Sequence, residues 1–183
     1  MQIFPSLRGT KKCLFFMLVI TSHLYLLHSS NYGILLCMST AARAIIIENG
    51  NLLVMYRNKH GSEYFTLVGG RVNEDETTEQ GLIREVQEET GLEVTKARLV
   101  YIEEHAAPYN EQYIYLCEIA AHQAVDIQPE SEEALMNRLG MNTHAPHWIT
   151  LNSFRQLAFR TPDLQQAIIK SLTDGFPEQP VKL

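Results

Sequence analysis

A mixed β-sheet flanked by helices, an α/β architecture, is the fold this sequence predicts. Three observations carry it. Strand-like runs dominate the chain behind Arg43, one amphipathic helix interrupts them after a double glycine, and two helices close the sequence. Composition agrees: 45% apolar and 20% charged residues over 183 positions describe an ordinary globular chain sized for one packed domain.

Residues 1–37 stand apart from that pattern. No Asp, Glu, Lys or Arg occurs between Lys12 and Arg43, and CLFFMLVITSHLYLLH is strongly apolar behind Arg8, Lys11 and Lys12. A signal peptide or a membrane anchor through residues 13–37 is one reading. Against it, His23, His28 and Asn31 interrupt the run, and no small-x-small cleavage site follows. The positive flank would also export everything after the span. MSTAARAIII opens at Met38 as a start would, which favours synthesis from Met38 and a domain of residues 38–183. The expected location is then the cytoplasm, and the alternative is an anchored protein facing outward. Cys13, Cys37 and Cys117 are odd in number and widely spaced, which argues against a disulfide framework or structural zinc and suits a reducing compartment.

From Ala44 the elements follow in order. Ala44–Glu48 and Leu52–Arg57 are β-rich runs joined by Asn49-Gly50, the preferred pair for a tight type I′ hairpin. EYFTLVGG is a third strand ending at Gly69-Gly70. Thr77 with Gln80 makes a capping box and Gly91 a left-handed stop, so a helix is expected from Thr78 to Thr90. LEVTKARLVYIEEH and EQYIYLCEIA are two further strands around the turn-like AAPYN. Residues 122–146 read as polar and irregular, with a short helix at SEEALMNRL, before HWITL resumes a strand. NSFRQLAF and TPDLQQAIIKSLTDG are the closing helices, the second with Thr161 at its N-cap, Pro162 at N1 and Gly175 past its end.

A net charge of −6 without a basic stripe argues against a nucleic-acid polymer as partner. A small anionic ligand is compatible with it, because a divalent cation or a few arginines can invert the field of a pocket. On the helix of residues 78–90, at 100° per residue and with Glu85 at 0°, Glu88 falls near about 300° and Glu89 near about 40°. Leu82, Val86 and Ile83, near about 60°, 100° and 160°, form the expected buried stripe. The three glutamates therefore border the core, while Gln80 and Gln87 take the outer face. Carboxylates this close repel one another unless a cation compensates, and hard oxygen donors suit magnesium or manganese. Arg84 flanks the acids, and the bare Gly69-Gly70 backbone can bring a carbonyl beside them. Gly81 keeps that face uncrowded.

Gly70, Glu76, Arg84, Glu85, Val86, Glu88, Glu89, Gly91 and Leu92 match every defined position of the Nudix box, G-x5-E-x7-R-E-U-x-E-E-x-G-U with U apolar. On these residues the chain resembles a short single-domain Nudix hydrolase, and the likeness runs over roughly residues 41–175. Val68, where many relatives have proline, and Gly81, where alanine is commoner, are the departures; neither removes a ligand. The resemblance implies an α/β/α sandwich. It also implies hydrolysis of a diphosphate linkage in a nucleoside diphosphate derivative: a nucleoside triphosphate, ADP-ribose, a nucleotide sugar or a dinucleoside polyphosphate. Magnesium or manganese would be the cofactor, with Glu85, Glu88 and Glu89 as ligands and the Gly70 carbonyl as a further one. Arg84 would hold a glutamate in place, Glu76 would brace the loop, and Gly69 and Gly91 complete the structural motif. Glu85 is the first candidate for the base, and Glu130, Glu132 and Glu133 are alternatives from a later loop. Many family members are dimers, so a homodimer stays open.

The remaining polar residues carry two readings each. Arg57, Lys59 and Arg71 are phosphate contacts or plain surface charges. Tyr56, Tyr64, Tyr109 and Tyr113 are stacking platforms or strand packing, with Pro108 and Tyr109 where some subfamilies carry substrate markers. His105, His122, His144 and His147 lack metal spacing and read as surface or loop residues. The rival to an enzyme is a catalytically silent Nudix-fold module that binds a nucleotide without cleaving it.

Overall fold

The Asn49-Gly50 pair sets the first corner of the molecule. Both residues adopt positive φ (49° and 75°), as a type I′ turn requires, and so close β1 (Ser39–Glu48) onto β2 (Asn51–Lys59). Residues 39–105, 109–140 and 142–183 are described in this computed structural model, without the side chains of Tyr109 and Asn110. The expectations for residues 1–37, for Pro108 and for the Tyr109 side chain therefore lie outside the described residues.

β1 and β2 pair only at Ile47–Leu52 and Glu48–Asn51, then separate. Beyond that point β1 runs antiparallel to β4 (Val68–Arg71) and parallel to β6 (Tyr109–Ile119). β6 pairs with β5 (Val94–Glu104), and β5 with the short β8 (Val181–Lys182). β2 instead runs between β3 (Ser62–Thr66) and β7 (Asn142–Thr150). The result is a mixed sheet that splays into two parts. EYFTLVGG is thus not one strand: it breaks at Leu67, where the chain leaves β2 and joins β1.

Alternation along β1 feeds two cores. Ala42, Ala44 and Ile46 face one side, where Leu82 and Val86 of α1 (Thr78–Thr90) pack. Ile45 faces the other, among Phe154 of α3 (Leu151–Phe154) and Leu164 and Ile168 of α4 (Pro162–Asp174). Helices on both faces of a mixed sheet give the α/β/α arrangement. Each fully buried Leu or Ile contributes about 1.5–3 kcal/mol relative to exposure.

Three further expectations change. Ile83 is 41% exposed, because α1 rests on β4 and β1 with a narrower stripe, and Ile83 lies at its far edge. Asn142–Pro146 is strand, not irregular chain, since β7 pairs along the whole length of β2. NSFRQLAF holds a single helical turn: the Phe65 backbone takes the carbonyl of Ala158 (2.9 Å) and the amide of Arg160 (2.8 Å) away from a helical ladder. β8, two exposed residues, gave no signal in the sequence.

Candidate active site

The double glycine and α1 build one wall together. α1 starts on the capping box, with the Gln80 amide donating to Thr77 Oγ1 (3.1 Å) and the Thr77 amide to Gln80 Oε1 (2.9 Å). It stops at Gly91, with φ at 75°. Gly69 has φ of 119°, and a Cβ there would run into the Ala42 carbonyl, so no other residue fits. Its amide donates to Glu89 Oε2 at 2.6 Å, and its carbonyl accepts from the Arg43 guanidinium. A Cβ on Gly70 would meet the Glu85 carboxylate head-on. Gly69 therefore lets the chain pass close against β1, and Gly70 lets backbone approach the Glu85 carboxylate. Gly81 does the same for the loop: a Cβ would press on Val72 at 3.1 Å.

Glu85 and Glu89, one turn apart, are only 8% and 2% exposed. Arg84 braces them from the loop side. Its Nε and NH2 hold the two Glu76 oxygens (2.7 and 2.9 Å), while NH2 also reaches the Arg71 carbonyl (2.9 Å). NH1 donates to Glu85 (2.8 Å) and Glu88 (3.1 Å). These bonds hold Glu76 down at about 2, while Arg84 is raised by the same partners.

The opposite wall comes from α2 (Glu132–Arg138), started by Ser131, whose Oγ accepts from the Ala134 amide at 3.1 Å. Asn137 ties this helix to β7 by donating to the His144 carbonyl (2.8 Å) and accepting its amide (2.7 Å). Glu133 is thereby placed so that one oxygen each of Glu85, Glu89 and Glu133 lie within 4.8 Å of one another. Burial, reinforced by Glu133 and Glu85, pushes Glu89 up to about 8 against the opposing pull of Arg43 and the Gly69 amide. Glu85 is raised as well, by burial first and then by Glu133 and Glu88, against Arg84. Glu85 and Glu89, raised in this way, are carboxylates whose ionised forms a divalent cation relieves.

The cavity between these walls measures about 350 Å³. Of the expected site residues, Gly70, Arg57, Arg71, Arg84, Glu88 and Glu132 also line it, and Glu76 stands behind Arg84. Glu88 points its carboxylate to Arg84 and stays out of the tight cluster. Glu130 is exposed and does not line the cavity. Tyr56 bonds Glu63 (2.9 Å) and Tyr113 bonds Glu111 (2.5 Å), and neither lines the cavity.

His144 corrects the surface reading. It is buried in β7 on the cavity wall, and burial together with the charges of Arg57 and Arg43 lowers it to about 4, so it is neutral. Four further wall residues escaped the sequence: Asn73, Met136, Arg43, and Asn142, whose Oδ1 is buried with no partner among the described residues. A lone cation inside AARAIII was the available signal for Arg43; nothing local marked Asn142 or His144.

A family model described as NUDIX domain matches residues 38–169. The chain is 31% identical over 97 residues to an NAD-capped RNA hydrolase of Photobacterium profundum, covering 53% of this chain and 34% of that protein. It is 34% identical over 70 residues to an 8-oxo-dGTP diphosphatase of Proteus vulgaris, covering 37% and 62% respectively. The match thus spans about a third to under two thirds of these curated relatives. Among solved structures, a NUDIX hydrolase from Nitrosomonas europaea superposes with a TM-score of 0.59 at 16% identity, over 85% of this chain and 82% of that one. The E. coli ORF135 protein does so with 0.56 at 21% identity, over 75% and 92%.

Proposed function

The chain belongs to the Nudix family, and from that premise we propose that it is a metal-dependent pyrophosphatase cleaving a diphosphate linkage in a nucleoside diphosphate derivative. The observation that carries the proposal is the convergence of Glu85 and Glu89, on the helix that completes the Nudix box, with Glu133 of α2 to within 4.8 Å. The donor set fits magnesium or manganese: it is all oxygen, and Gly70 leaves the Glu85 carboxylate room beside bare backbone. Glu85, Glu89 and Glu133 would hold the ion, with Glu88 and the Gly70 carbonyl at the rim. Bound there, such an ion supplies charge neutralisation at the diphosphate and a lowered pKa for attacking water.

The chain's own groups do the rest. Arg84 fixes Glu85 and Glu88, and Glu76 fixes Arg84, so the carboxylates keep one geometry through the reaction. Arg57 and Arg71, on the cavity wall, face the phosphoryl oxygens. One Glu85 oxygen is held by Arg84, so Glu133 is the better placed base for the proton of water. The relatives named as acting on capped RNA and on 8-oxo-dGTP support a nucleotide-derived substrate. We also place the protein in the cytoplasm, with synthesis from Met38. Mass spectrometry finding Met38 or Ser39 first supports this, and a native chain that includes residues 13–37 overturns it.

The functional test is a panel of nucleoside triphosphates, ADP-ribose, nucleotide sugars and dinucleoside polyphosphates with magnesium or manganese. Turnover that disappears in Glu88→Gln and Glu89→Gln is expected. No turnover of any member, with tight binding and intact ligand recovered after long incubation, would establish the silent binding module instead.

A further inference from the structure

A second depression, about 650 Å³, opens beside the carboxylate cavity where β1 and β2 part company. Its charged lining has one sign: Arg43, Arg57, Lys59, Arg71 and Arg160, with no Asp or Glu among the described residues that line it. Arg43 is committed to the Gly69 carbonyl and to Gln112 Oε1 (3.0 Å). The other four form no ion pair among the described residues. Arg57 Nε is buried without any hydrogen-bond partner there. Four cations without ion-pair partners, gathered in one opening of a chain with net charge −6, make a local positive field that attracts an anionic ligand, although water screens their mutual repulsion. Arg57 and Arg71 line both depressions, so the cationic one continues directly from the carboxylate one. The Arg160 guanidinium lies 5.1 Å from the Tyr64 ring centroid, over one face of that ring in the lining.

We propose that this depression is a subsite for an additional phosphoryl group, so that the preferred substrate carries at least one phosphate beyond the diphosphate that is cleaved. The proposal rests on reading the carboxylate cavity as the cleavage site. Lys59 and Arg160 are the cations that only the additional phosphate would meet, since neither lines the carboxylate cavity. The extra phosphate has two chemical sources: a longer phosphate chain, or a phosphate on the ribose of the far nucleoside.

The test compares matched substrate pairs on the full chain with magnesium. One pair is a nucleoside triphosphate and its diphosphate; the other is a diphosphate-linked dinucleotide with and without a ribose phosphate. In at least one pair the more phosphorylated member is expected to have the higher kcat/KM by about 10-fold, the size of one charge-assisted contact. Which pair shows it identifies the source. In Lys59→Ala/Arg160→Ala the ratio falls to near one, chiefly through KM, while Lys96→Ala, on a remote strand, keeps it. Melting curves that match wild type exclude unfolding as the cause. No preference in either pair, or a preference the double substitution leaves intact, overturns the proposal. If no substrate is turned over, the cleavage reading fails by itself, and metal-free calorimetry with inorganic tripolyphosphate decides the subsite. Binding weakened about 10-fold or more in the double variant supports it, and equal or absent binding overturns it.

Discussion

The carboxylate cavity and the cationic depression share Arg43, Arg57 and Arg71 in their walls, yet they manage charge in opposite ways. Glu85 and Glu89 are buried, close to Glu133, and raised in pKa, so their ionised forms burden the fold unless Arg84, the Gly69 amide or a cation relieves them. Lys59, Arg71 and Arg160 stand exposed at an opening, where water screens them and repulsion costs little. The difference teaches where this fold has given up stability for chemistry. It has done so on α1, not at the mouth between the sheets.

Substitutions break that comparison in graded steps. Glu85→Gln, Glu89→Gln and Glu133→Gln are expected to lower kcat by roughly 10²–10⁴-fold in steady-state assays, the range for losing a positioned acid–base or ligand group. The largest structural effect falls on the backbone that serves the acids. Gly69→Ala forces a side chain into a φ of 119° against the Ala42 carbonyl. It is expected to destabilise by about 2–3 kcal/mol in urea titration.

Glu89→Gln sharpens the contrast because its two effects have opposite sign. Glu89 has a folded pKa of about 8, above the ordinary carboxylate value, so its contribution to stability is present below about 4.5 and is lost as pH rises through about 8. Without metal, Glu89→Gln should therefore melt near wild type at pH 5 and above it at pH 8, though it is inactive at both. Equal or lower melting temperature at pH 8 would contradict the burden assigned to Glu89. The smallest effect belongs to the other region: Lys59→Ala should change stability by no more than about 0.5 kcal/mol.

The half of the site encoded by contiguous residues was open to reading. The capping box, the Gly91 stop and the arc of Glu85 and Glu89 are local spacings, and helix geometry turns them into one face. Ile83 is exposed against expectation because a wheel gives direction but not the width of the surface the helix rests on. The other half depends on how the sheet splays. Glu133 joins the cluster only because Asn137 fastens α2 to β7, and β7 begins at Asn142 in a stretch with no strand-like alternation. His144 reads as surface for the same reason, while Arg43 is visible in the sequence as a lone charge inside an apolar run.

Manganese binding, followed by loss of the free-ion paramagnetic resonance signal in wild type, Glu85→Gln, Glu89→Gln and Lys59→Ala, tests the central claim most directly. If the carboxylates of α1 are the cation site, wild type and Lys59→Ala bind alike, and both glutamate variants bind at least about 10-fold more weakly. Equal affinity in all four proteins would contradict the account.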